Sequence, residues 1–576
     1  MLDVVLRGGD VVDGTGAPRR RADVGIRDGR VVALGDVDEA AAESIDADGL
    51  VVAPGFVDVH THYDAQLLWD GAATPSPLHG VTTVLGGNCG FTIAPLTERD
   101  VDYVMRMMAR VEGMPLDALQ HGASWDWHGF GEYLSRLDGR VAVNAGFLAG
   151  HSTIRRVAMG DRAVGETATA DDVDAMARLL AAALSEGALG LSSSLAPTHT
   201  DGDNRPVPSR AASRDELLAL AGVVRGHDGT TLEFIPTVGE FTPELIELMA
   251  DMSLTADRPL NWNLLGSLSS TEVYRGQLEA SDHARARGAH VVALTLPDLM
   301  RLRTGSVMDS LPGWRDVVAL GPEERRRAVR DPEVRARLRD GVAAARERGL
   351  DAFADWNLVE VADAESLEHG ALVGRTIADI AAERGGDPVD VLIDVVLPER
   401  LPLTLVLPSL VPSLGATDAG WARRAEVWRD DRTVLGGSDA GAHLDVMCHA
   451  NYTTSVLGDA VRRRGLLELE EAVRQFTDVP ARLYGLRGRG RIAEGWCADV
   501  VVFDPARVAT RPVRARHDLP GGGMRLYAES EGVEHVLVNG TEIVRAGALT
   551  DARPGTVLHS GRDTDTVTVP GAPQPR

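Results

Sequence analysis

The chain of 576 residues contains no lysine; all 59 of its basic residues are arginine. That excludes any mechanism built on a lysine Schiff base, a P-loop lysine or a carboxylated lysine. Cysteine is nearly as scarce. Cys89, Cys448 and Cys497 are too few to staple a chain of this size with disulfides. No apolar run reaches the roughly 18 residues of a membrane-spanning helix. The N-terminus, Met1 to Val12, reads as a strand and lacks the basic start and apolar core of a signal peptide. The expected location is the cytoplasm. Positive charge is in deficit: 59 basic against 85 acidic residues leave a net charge of −26. This argues against a nucleic-acid partner or an anionic membrane surface. The expected partner is a small-molecule substrate; oligomeric state is left open, with room for a homo-oligomer.

What is present is an ordinary globular balance, 44% hydrophobic and 25% charged. The first 55 residues alternate short apolar strands with turn signals, including Asp28-Gly29 as a hairpin turn. The far end has the same texture, with Ala498–Asp504 as a strand and two more around Asn539-Gly540. These ends predict a small β-sandwich domain built from residues 1–55 and 485–550. The middle, 56–484, alternates strands with amphipathic helices. Strand candidates are Val81–Leu85, Val141–Phe147, Ala188–Ser193, Thr231–Ile235, Leu260–Leu264, Val291–Leu296, Leu403–Leu407 and Thr433–Gly437. Repeated strand–helix units predict a parallel sheet, here an α/β fold of the (β/α)8 TIM-like barrel type, with a doubly wound open sheet as the alternative. An Arg-rich stretch from about 318 to 348 reads as part of a solvated helical insertion near 305–400. The Thr-, Asp-, Pro- and Gly-rich segment 551–576 reads as a mobile tail.

The sharpest local signal is Pro54-Gly55-Phe56-Val57-Asp58-Val59-His60-Thr61-His62. Residues two apart on a strand point the same way, so both imidazoles leave the strand end together. Imidazole is the commonest ligand of zinc and similar metals. This motif is followed by Tyr63-Asp64, by Gly80-Val81-Thr82-Thr83-Val84 with Gly87-Asn88-Cys89-Gly90, and by Ala149-Gly150-His151-Ser152-Thr153-Ile154-Arg155. Later come Gly436-Gly437-Ser438-Asp439-Ala440-Gly441-Ala442-His443, Gly490-Arg491-Ile492 and Gly495-Trp496-Cys497-Ala498-Asp499. In these residues the chain resembles the amidohydrolase superfamily, and within it the N-acyl-D-amino-acid deacylase (D-aminoacylase) family.

The resemblance implies a metal-dependent hydrolase of the amide bond of N-acyl (D-)amino acids or a similar C–N bond. His60 and His62 match the first metal ligands, and Cys89 the cysteine ligand used where relatives carry a carboxylated lysine. Asp439 matches the aspartate that ligates metal and shuttles the proton. The implied cofactor is a divalent metal, zinc before others. The family places a histidine at the end of strands five and six; here those segments read Thr231-Leu232-Glu233-Phe234-Ile235 and Asn261-Trp262-Asn263-Leu264. Glu233, Asn261 or Asn263 could supply only oxygen ligands, so one ion is expected rather than two. His151, His199 and His443 are candidates for additional site residues. Arg155 and Arg210 are candidates for holding a substrate carboxylate. Two other readings stay open. One is a divergent enzyme on the same scaffold with an altered metal site lined by Phe234 and Trp262. The other is a catalytically silent binding protein.

Overall fold

In a computed structural model, residues 1–265, 271–296, 299–303, 311–347, 355–362, 367–399, 403–407 and 418–572 are described. Both ends of the chain enter one nine-stranded sheet. Its order is Ala548–Leu549, Thr541–Arg545, Val533–Val538, Val500–Phe503, Val51–Pro54, Leu2–Val11, Arg20–Arg27 and Arg30–Gly35, with Ala41–Asp46 also paired to Leu2–Val11. The ends join through an antiparallel pair in which Val52 lies opposite Val502. Alternation drives the sheet: Val4 and Leu6, Val24 and Ile26, and Val500 and Val502 bury themselves in one cluster. Asp28-Gly29 (φ 51° and 72°) and Asn539-Gly540 (φ 47° and 76°) take the left-handed conformations that a two-residue hairpin loop requires.

The middle of the chain supplies parallel strands. Phe56–Asp58, Val81–Gly86 and Asn144–Phe147 form one row. Ala149–Gly150, Gly190–Ser194, Thr231–Ile235, Leu260–Trp262, Val291–Thr295 and Thr433–Leu435 form a second, each paired in parallel with the next. Only Leu148 separates the rows along the chain. At the other side, Thr61 and Ala440 form a parallel bridge, and His62 N donates to Ala440 O at 2.7 Å. Val57, Val59, Leu85, Leu148, Leu189, Leu294 and Val434, in these strands or directly beside them, share one buried cluster. Helices between the strands begin at polar caps. The Thr169 side chain accepts from Asp172 N while the Asp172 carboxylate accepts from Thr169 N, and such a cap is worth about 1 kcal/mol.

Three expectations are corrected. Leu403–Leu407 is not a member of the parallel rows. It runs antiparallel to Met300–Arg303 and Val359–Val361, inside a separate compact unit of Leu299–Ala416 with Asp445–Met447. An apolar run of five residues carries no mark of whether its neighbours will be parallel. The first strand of the rows is instead the short Phe56–Asp58 that leads into the histidines. The charge-rich stretch does form helices, Pro322–Ala328 and Pro332–Glu347. However, Val329, Leu338 and Val342 enter a core of that unit's own, with Trp314, Val359 and Leu403.

The expected mobile tail is also corrected, since its described part is folded down. Leu558 is fully buried and its N–H donates to Ala145 O at 2.8 Å; Thr564 Oγ1 donates to Gly229 O at 2.6 Å. At Gly555 an added Cβ would lie 2.1 Å from Val143 O, so only glycine permits this approach. The polar composition hid a few buried apolar residues among side chains that bond to the strand ends.

Candidate metal centre

His60 and His62 lie just beyond Phe56–Asp58, where the backbone is still held from both sides. Thr61 N donates to Leu85 O at 2.9 Å, and Asp439 N donates to His60 O at 3.2 Å. The alternation of an extended chain turns both rings the same way, with centroids 5.3 Å apart and planes at 74°. Cys89 comes from the turn after Val81–Gly86. Asn88 pins that turn by donating from Nδ2 to Leu85 O (2.9 Å) and Thr61 O (3.2 Å). Asp439 follows Thr433–Leu435 through two glycines of positive φ.

These segments bring four donors together. Cys89 Sγ stands 3.3 Å from His60 Nε2 and 3.6 Å from His62 Nε2. Asp439 Oδ1 is 3.1 Å and 3.6 Å from the same two nitrogens. The three ligand atoms of His60, His62 and Cys89 all lie within 4.8 Å of one another. In a tetrahedral zinc site with bonds of about 2.0–2.3 Å, neighbouring ligand atoms are about 3.3–3.6 Å apart. The spacing therefore suits a single cation. Cys89 (φ 60°), Asp439 (φ 53°) and His443 (φ 49°) all occupy the left-handed region that side chains other than glycine rarely adopt. Such strain gathers where a site over-determines its backbone.

A fifth donor was not foreseen. Glu112 follows the helix Val101–Val111 and is 2% exposed. Its Oε2 lies 3.4 Å from His62 Nε2, and its Oε1 has no hydrogen-bond partner among the described residues. No motif marks it. The one local signal is an acidic residue at a helix C-terminus, where the macrodipole disfavours negative charge.

The electrostatics are set by burial and by crowded carboxylates. Burial pushes the Glu112 carboxyl well up, and Asp439, Asp64 and Glu233 add to it. Burial lifts Glu233 to about 8 against the opposing pull of His60. The Cys89 thiol is raised by burial and then by Glu112, Glu233 and Asp439. Burial also acts to raise Asp439, but hydrogen bonds from His60 and His62 hold it well below the usual carboxylate range. Burial drives His62 down to about 4 despite Asp439. Among these anions a thiol keeps its proton; a divalent cation at the same point reverses that preference.

The remaining expected residues divide. The four donors, Glu112, His199, His443 and Asn263 line a cavity of about 260 Å³ whose apolar wall includes Val111, Ile235, Val238, Leu264 and Leu294. His199 Nδ1 is 2.8 Å from Ser194 Oγ. His151 is corrected: fully buried, it lies 2.8 Å through Nδ1 from Ser193 Oγ and 2.9 Å through Nε2 from Glu216 Oε1, and it does not line the cavity. Arg155 is corrected likewise. Its Nε donates to Glu216 Oε1 at 2.8 Å and its Nη2 to Glu166 O at 2.6 Å, and it is fully buried away from the cavity wall. The helix His151–Met159 begins at once after the strand and turns both side chains toward the helix Arg214–Arg225. Arg210 donates to His199 O at 3.1 Å and is also absent from the cavity wall.

Of the oxygen donors of strands five and six, those of Glu233 and Asn261 accept hydrogen bonds, whereas Asn263 Oδ1 has no partner among the described residues. Glu233 accepts from Cys89 N at 3.0 Å and from Asn263 Nδ2, and Asn261 Oδ1 accepts from Tyr484 OH at 3.1 Å. Phe234 and Trp262 are fully buried and do not line the cavity, contrary to the altered-site reading.

The amidohydrolase family profile matches residues 43–544. D-aminoacylase of Alcaligenes xylosoxydans xylosoxydans is 30% identical over 568 residues, covering 97% of each chain. N-acyl-D-glutamate deacylase of the same organism is 31% identical over 596 residues, covering 100% of this chain and 99% of its own. Among solved structures, N-acyl-D-glutamate deacylase from Bordetella bronchiseptica, complexed with zinc and a phosphonate mimic of the tetrahedral intermediate, superposes with a TM-score of 0.63 at 26% identity, covering 97% of this chain and 100% of its own. The chain belongs to the amidohydrolase family. It is a hydrolase of carbon–nitrogen bonds other than peptide bonds.

Proposed function

We propose that the protein is a metal-dependent deacylase that cleaves the amide bond of N-acyl-D-amino acids. The observation that carries this reading is the convergence of His60, His62, Cys89 and Asp439 at the spacing of one coordination shell, on the wall of a cavity sized for a small molecule. The substrate class comes from the relatives named D-aminoacylase and N-acyl-D-glutamate deacylase. We assign one ion, zinc, to this set, because Thr231–Ile235 and Leu260–Trp262 carry no histidine to hold a second.

When bound, the ion supplies Lewis acidity toward an amide carbonyl and a water molecule. Asp439 is the ionised carboxylate on the cavity wall, with a third of its side chain exposed. It takes a proton from the attacking water and delivers it to the departing nitrogen as the C–N bond breaks. The apolar wall around Ile235, Val238 and Leu264 receives the acyl or side-chain portion of the substrate.

We also infer a (β/α)8 barrel from the nine parallel strands, Asn144–Phe147 and Ala149–Gly150 counting as one segment, with the Thr61–Ala440 bridge at its seam. Residues 1–55 and 485–550 would form its small β domain, and 56–484 the barrel with its insertion. The functional test is release of free amine from a panel of N-acyl-D- and N-acyl-L-amino acids by zinc-loaded protein. Turnover confined to the D-series is expected. No amine from any member, with zinc or with cobalt, would overturn the reading.

A further inference from the structure

Resting on the metal-dependent reading above, we propose that Glu112 is itself a ligand of the cation, the carboxylate that takes the place left by the histidines missing from strands five and six. Glu112 is nearly fully buried, and one carboxylate oxygen has no partner among the described residues. A buried carboxylate keeps its charge only where it is paired or bound to a metal, and otherwise takes up a proton. Its other oxygen lies 3.4 Å from His62 Nε2, the same nitrogen that lies 3.6 Å from Cys89 Sγ and 3.6 Å from Asp439 Oδ1. The 3.4 Å between Glu112 Oε2 and His62 Nε2 is the separation of two ligand atoms on one ion, about 3.3–3.6 Å.

The position of Glu112 is also fixed. Its N–H donates to Met108 O at 3.0 Å, and its carbonyl accepts from His443 N in the loop that carries Asp439. At Gly113 an added Cβ would stand 3.0 Å from His443 Cα, which keeps the two segments close.

The competing account is a plain hydrogen bond in which His62 Nε2–H donates to Glu112 and merely orients the ring. The two roles exclude each other, since a nitrogen that donates a proton to Glu112 has no lone pair for a metal. Glu233 differs from Glu112 in that each of its oxygens already accepts a hydrogen bond, whereas Glu112 Oε1 accepts none among the described residues.

The experiment measures zinc affinity by chelator competition, and the visible spectrum of the cobalt-substituted protein, for wild type, E112Q, E112D and C89A. E112Q is close to isosteric and relieves repulsion among buried carboxylates, so the fold is not put at risk. E112D keeps the charge but withdraws it by one methylene. Zinc affinity is expected to fall about 10- to 100-fold in E112Q, the range seen when groups that support a metal are lost, and by a smaller factor in E112D. The cobalt spectrum should change in both. If E112Q and E112D hold zinc as tightly as wild type with an unchanged spectrum, while C89A loses it, Glu112 is not a ligand and the metal-dependent reading stands. If wild type itself holds neither zinc nor cobalt, that reading fails and this proposal with it.

Discussion

The buried trio His151–Glu216–Arg155 offers the clearest separation between a framework and a substrate-binding role. Glu216 Oε1 receives both His151 Nε2 (2.9 Å) and Arg155 Nε (2.8 Å), and none of the three side chains is exposed. The perturbation is Glu216→Gln. It preserves the shape and an accepting oxygen but removes the single negative charge that offsets the Arg155 guanidinium. The neutral partners left to Arg155 are the carbonyls of Ala163 and Glu166. Removing one member of a buried ion pair costs about 3–5 kcal/mol. At about 1.4 kcal/mol per decade, that is at least a hundredfold in the local opening equilibrium.

Amide hydrogen exchange is the suitable assay, because it reads the helices His151–Met159 and Arg214–Arg225 directly and does not need the whole chain to unfold in one step. Protection in both helices should fall at least a hundredfold, while KM for the best substrate changes less than about threefold. Exchange that stays within threefold of wild type would refute the argument. So would an Arg155→Met variant that raises KM tenfold while both helices stay protected. Either result would return Arg155 to the substrate.

Three further outcomes follow from the same geometry. Asp439→Asn should lower kcat by about 10²–10⁴ if it is the proton carrier, with far-UV circular dichroism unchanged; near-wild-type turnover would remove Asp439 from the mechanism. His79 is buried, with Nε2 3.1 Å from Ala528 O and Nδ1 2.7 Å from Thr454 Oγ1, and burial holds it down to about 4. Below about pH 6.5 the unfolded chain therefore binds a proton that the folded chain refuses, and this residue's contribution to stability falls until pH reaches about 4. His79→Asn should lose that part of the pH dependence in urea titrations between pH 7 and 4; an unchanged slope would count against it. Leu558→Ala should cost about 2–5 kcal/mol as a buried leucine, visible as a lower melting temperature; an unchanged melt would restore the mobile tail.

The parts of the centre that were legible in the sequence are those that local backbone geometry dictates. His60 and His62 are two residues apart on an extended chain, so their convergence needs no knowledge of the fold. Cys89 and Asp439 each sit in a glycine-rich turn immediately after a strand, and both turns carry the backbone strain that such punctuation accommodates. Glu112 was not legible, because it reaches the centre from the end of a helix that no motif accompanies. The sequence makes His151 a candidate site residue and Arg155 a candidate for a substrate carboxylate because both follow a strand. The helix that starts at His151 rotates them into contact with Glu216, and no feature of the local sequence announces that partner. Leu403–Leu407 was misplaced for a similar reason: its apolar pattern satisfies a parallel row and an antiparallel sheet equally well.

The exchange of histidines for carboxylates around one point alters the chemistry as well as the count of ligands. An imidazole donates to a cation without charge, whereas a thiolate and two carboxylates bring three negative charges to a dication. Within the proposed donor set, His60 and His62 are the neutral members and Cys89, Asp439 and Glu112 the anionic ones. Greater negative charge strengthens the hold on the cation and at the same time weakens its pull on electrons of any other group it touches. The acidity such an ion would confer on a water would then be smaller than in a site richer in histidine, and more of the work of removing its proton would fall to Asp439. That would place the demand on the one donor whose side chain remains partly exposed, Asp439. With a cation bound, Asp439 would be the carboxylate exposed enough to take the proton, whereas the buried Glu112 would serve to hold the ion.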